Sequence, residues 1–207
     1  MFCSYCLEIK MTHQEIVKWF ENEKKKDKPI NIPAEIFSQI SPEIANDLVQ
    51  RFSRDTLVYL PQSEIQFFEW LKENDHSVWE DLWGGVEEDP YVVSISFLPM
   101  LIKKFGGFPI CDLVNNDNYY FTEEMIVKKT SYLLLETLRE KYLRKEKLTV
   151  SQALLLEISV APVDIWHFAY YHKIPLEEAK RAVHELVEDN LIIHYKTAEE
   201  LANFVQF

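Results

Sequence analysis

Leu148 to Tyr195 reads LTVSQALLLEISVAPVDIWHFAYYHKIPLEEAKRAVHELVEDNLIIHY. Its punctuation predicts three short helices and a strand. Thr149-Val150-Ser151-Gln152 has the form of a capping box, in which a threonine oxygen takes a free helix N–H and the glutamine reaches back. A helix is therefore predicted over 150–158. Pro162 and Pro175 stand where a helix begins and a missing N–H costs nothing. They open helices over about 163–172 and 176–190. Leu191 to Tyr195 then reads as a strand. At 100° per residue, Leu176, Ala179, Val183, Leu186 and Val187 share the inner side of the third helix. Glu177, Arg181, His184, Glu185 and Glu188 face out.

The segment LEEAKRAVHELVEDNLIIHY is similar to the third helix and first wing strand of winged-helix proteins. Asn190 stands where those proteins usually carry glycine, and asparagine tolerates the same left-handed backbone. The similarity involves about a quarter of the chain. A second wing strand is not expected, because 197–205 reads as a helix capped by Thr197, so the wing is truncated. The resemblance implies a helix-turn-helix scaffold, a fold best known for reading DNA. The outward side chains of the third helix oppose that use. A recognition helix needs Arg, Lys, Asn or Gln against phosphates and base edges, and this one offers three glutamates and one arginine.

The rest of the chain agrees with that charge. Its 207 residues carry a formal net charge of -12, which repels a phosphate backbone over most of the surface. Hydrophobic content of 47% supplies a real core. Cys3, Cys6 and Cys111 form no disulfide framework. No leader peptide is expected, since Glu8 and Lys10 interrupt the start, and no window approaches a membrane helix. A cytoplasmic setting with reduced thiols follows.

Upstream, residues 1–10 look like an extension, with Met11 a candidate natural start. Thr12-His13-Gln14-Glu15 is a capping box opening a helix to about Lys26. Ser41-Pro42-Glu43 opens another, and Ser77-Val78-Trp79-Glu80 forms a third candidate box. Strands are predicted at 56–60 and 91–97, with a hairpin from 108–114 to 118–121. Together they suggest one small, mostly antiparallel sheet. A long helix is predicted over 122–147, joining this region to the C-terminal unit. The expected organisation is an extension (1–10), an α+β region (11–147) and a winged-helix-like helical unit (148–207). The fold class is α+β and helix-dominated.

Candidate chemistry is sparse. Asp164, His167 and Tyr171 fall on one face of the second predicted helix, where an aspartate and a histidine three residues apart can hydrogen-bond and serve acid–base chemistry. The simpler alternative places Asp164 in a first helical turn, favoured there by the helix dipole. Cys3 and Cys6 have CxxC spacing, but no second ligand pair repeats it, so no metal is expected. Cys111 reads as a buried small hydrophobe, and Glu80-Asp81 with 87–89 as a solvated loop. No phosphate-binding loop is present, and no cofactor is expected. Lys128, Lys129, Arg139, Lys141, Arg144, Lys145 and Lys147 make the long helix locally basic. Trp166, Tyr170 and Tyr171, with Arg181 and His184, form the candidate partner-binding set.

These features favour a non-catalytic interaction or regulatory protein that binds another protein or a second copy of itself. The alternatives are a DNA-binding transcriptional regulator and an enzyme holding the Asp164–His167 pair in a cleft.

Overall fold

A computed structural model of the chain describes residues 11–26, 28–84, 91–105, 110–112, 117–121, 129–160 and 163–195. It is helix-dominated α+β. The chain divides into two compact units, 1–103 and 104–207. The sequence alone suggested a boundary at 147/148. The observed division instead keeps the hairpin and the long helix with the C-terminal helices.

The first unit opens with α1 (His13–Lys24), whose capping box at Thr12 and Glu15 forms as predicted. The short α2 (Ala34–Phe37) and then α3 (Pro42–Arg51) follow, the latter capped by the Ser41 hydroxyl. α1 buries Ile16, Val17 and Phe20, and the Phe20 ring lies 6.2 Å from that of Phe52 just after α3. A surface network ties the two helices. Asp47 accepts from His13 Nε2 at 2.9 Å and from Arg51 Nε at 2.8 Å. The Arg51 hydrogen bond, and then that of His13, holds the Asp47 carboxyl below its ordinary range.

The sheet of this unit has the order β1–β2–β3, from β1 (Ile30–Asn31), β2 (Leu57–Tyr59) and β3 (Val92–Ser94). β2 and β3 are antiparallel, whereas β1 runs parallel to β2, so the sheet is mixed. β3 stops at Ser94, short of the predicted 97. The Ser94 hydroxyl accepts from Ser96 N–H and turns Ile95–Phe97 into a 3-10 helix. α4 (Gln62–Asn74) and α5 (His76–Trp83) pack as a pair. α5 begins before Ser77, so the box predicted there does not form; the Ser77 hydroxyl donates to Asp75 instead. Trp83 is buried between Phe68, Tyr91 and Phe97. α6 (Leu98–Phe105) runs across the boundary between the units.

The second unit holds β4 (Ile110–Asp112), β5 (Asp117–Phe121), α7 (Lys129–Leu143), α8 (Val150–Ile158), α9 (Ile165–His172), α10 (Leu176–Glu188) and β6 (Ile192–Tyr195). The predicted hairpin is present as β4–β5, in a second sheet of order β4–β5–β6, all antiparallel. Among the described residues there are thus two three-stranded sheets rather than one, and the strand after α10 pairs with β5, from before the long helix. The predicted helix over 197–205 lies outside the described residues, as do 122–128 at the start of the long helix. α10 packs against α8 and α9 around Leu154, Leu155, Trp166, Phe168, Ala179, Val183 and Leu186. Its buried set includes Ala182, while Val187 is only partly buried.

Three helices here stop the same way. Lys145, Lys173 and Asn190 adopt φ of 58°, 53° and 54°. In each case the following amide closes back on the last turn: Glu146 N–H to Lys141 C=O, Ile174 to Ala169, Leu191 to Leu186. This is the Schellman arrangement, and glycine suits its left-handed position best. A lysine there is strained, so Lys173→Gly is expected to stabilise the protein by about 0.5–1 kcal/mol, after the extra chain entropy of glycine is offset. Urea unfolding at neutral pH measures it.

Among the described residues no helix is long and apolar enough to cross a membrane.

Candidate functional site

α9 carries the side chains that the sequence singled out. It begins at Ile165, later than Pro162 suggested, because Asp164 is the residue that caps it. Asp164 is extended (φ -95°, ψ 152°), and its Oδ1 accepts from the His167 backbone N–H at 2.8 Å. Its Oδ2 accepts from His167 Nδ1 at 2.6 Å. The side chain of Asp164 is 3% exposed and that of His167 16%. A carboxylate so buried needs compensation for lost hydration, and His167 supplies it twice, through backbone and ring. The pairing fixes the imidazole with its Nδ1 proton toward the carboxylate.

Tyr171 lies one turn further on. Its ring stacks on His167 with centroids 5.7 Å apart and planes at 28°, yet it remains 63% exposed. Asp164, His167 and Tyr171 are thus brought together, as the helical spacing implied. They form a graded row from a buried cap to an exposed ring.

The candidate partner residues separate. Trp166 is fully buried among the helices of its unit, so it belongs to the core and has no surface to offer. The large apolar indole goes inward because Ile165, Trp166, Phe168 and Ala169 form the inner side of α9. Tyr170 is partly buried, and its ring lies 5.4 Å from that of Tyr171. Arg181 is exposed on α10, and His184 is exposed beside Glu188 at 3.2 Å.

Two contacts escaped the sequence. His172 Nε2 meets Glu157 Oε1 at 2.6 Å, joining α9 to α8, and the Ser151 hydroxyl donates to Glu185, joining α8 to α10. Residues 15 and 34 positions apart give no local signal for either. The second contact lies in an open cleft of about 260 Å³ that also includes Thr149, Glu178 and Arg181. Asp164, His167 and Tyr171 do not line it.

The remaining chemical candidates add little. Cys3 and Cys6 lie outside the described residues, as do the acidic residues at 87–89. Cys111 falls in β4. Among the described residues no group of three or more His, Cys, Asp or Glu could hold a metal ion. Just after α7, Arg144 pairs with Glu140 of that helix at 2.9 Å.

No family model matches the chain, and neither a curated protein nor a solved structure is detectably similar to it.

Proposed function

We propose that the chain is a non-catalytic protein-interaction or regulatory module, whose C-terminal unit uses a winged-helix-like scaffold to present side chains to another protein. The observation that carries this is Tyr171, a large aromatic left 63% exposed on a helix whose other side is fully buried. Among the described residues, five of the seven exposed large apolar side chains lie in the same unit: Leu133, Tyr142, Leu143, Val160 and Tyr171. Exposed aromatics among polar neighbours are the composition of protein interfaces.

DNA recognition through α10 has less support, because its outer side carries Glu177, Glu185 and Glu188 and phosphates would be repelled. Acid–base catalysis has less support too: both carboxylate oxygens of Asp164 are engaged by His167, as a helix cap requires. A cytoplasmic setting accords with the sparse cysteines.

Immobilised protein with a Tyr171→Ala control tests the proposal, alongside size-exclusion chromatography with light scattering. The expected result is a protein partner, or a second copy, retained by the natural chain and lost from the variant, with both equally folded. A strict monomer that retains nothing counts against it.

A further inference from the structure

We draw no further inference here: the strongest candidate, the open cleft of about 260 Å³ between the first turn of α8 and the outer side of α10, carries nothing, because it pairs a helix N-terminus with surface side chains of both charges, Glu178, Arg181 and Glu185, and nothing in the structure points to a ligand for it.

Discussion

Trp166→Ala lowers the unfolding free energy by about 3–5 kcal/mol, the usual cost of removing a buried aromatic and leaving a cavity. Trp166 is 0% exposed. It sits on α9, which packs against α10, and Leu154, Phe168 and Val183 of the same unit are buried with it. Small domains are stable by about 5–15 kcal/mol in total, so this one change removes much of what holds the second unit together. Urea unfolding followed by far-ultraviolet circular dichroism reads the loss. Tyr171→Ala is the matched control on the outer side of the same helix. With 63% of its surface in water, its removal is expected to stay within about 0.5 kcal/mol. Equal losses for the two variants would mean that the two sides of α9 are not distinguished as described.

Asp164→Ala has the next largest effect, about 2–3 kcal/mol. Losing an N-cap side chain costs about 0.5–2 kcal/mol, and His167 Nδ1 loses its charged acceptor in a largely buried place, which adds to it. Asp164→Asn separates the two contributions. Its amide oxygen can still cap the His167 N–H, so the loss falls to about 1 kcal/mol. Thermal and urea unfolding of both variants give the comparison. If Asp164→Asn costs as much as Asp164→Ala, the ring contact and not the cap dominates.

Local chemistry was legible along the chain wherever a side chain closes on its own neighbourhood. The boxes at Thr12 and Thr149 form as their spacing implies, and the Ser41 hydroxyl caps α3 ahead of Pro42. Asn190 takes the left-handed position that its place before a strand suggests. Asp164 and His167 meet because three residues of helix bring them together. The errors share a different cause. β1 is two residues long and exists only because β2 lies beside it. The partner of β6 is β5, which precedes α7 to α10 in sequence, and no local pattern announces it. Helical periodicity places Trp166 and Tyr171 on different sides of α9, but which side faces in is decided by α10. A cluster of aromatics therefore read as a surface, although Trp166 within it is core. Ser77 failed as a cap because α5 already begins at His76 with Asp75 at the cap position.

The same division between inside and outside underlies the functional proposal. Asp164 and Trp166 hold α9 in place, and Tyr171 is the part of it that meets water. Acidic side chains, Glu177, Glu185 and Glu188, are exposed on the outer side of α10.

The most direct measurement pairs stability with partner retention for Tyr171→Ala and Asp164→Asn, assayed side by side on the full chain. The interaction account predicts that Tyr171→Ala unfolds at the natural midpoint yet loses its partner. Asp164→Asn unfolds earlier yet keeps the partner while folded. The opposite pattern, with Tyr171→Ala unfolding early or Asp164→Asn losing the partner while fully folded, would contradict it.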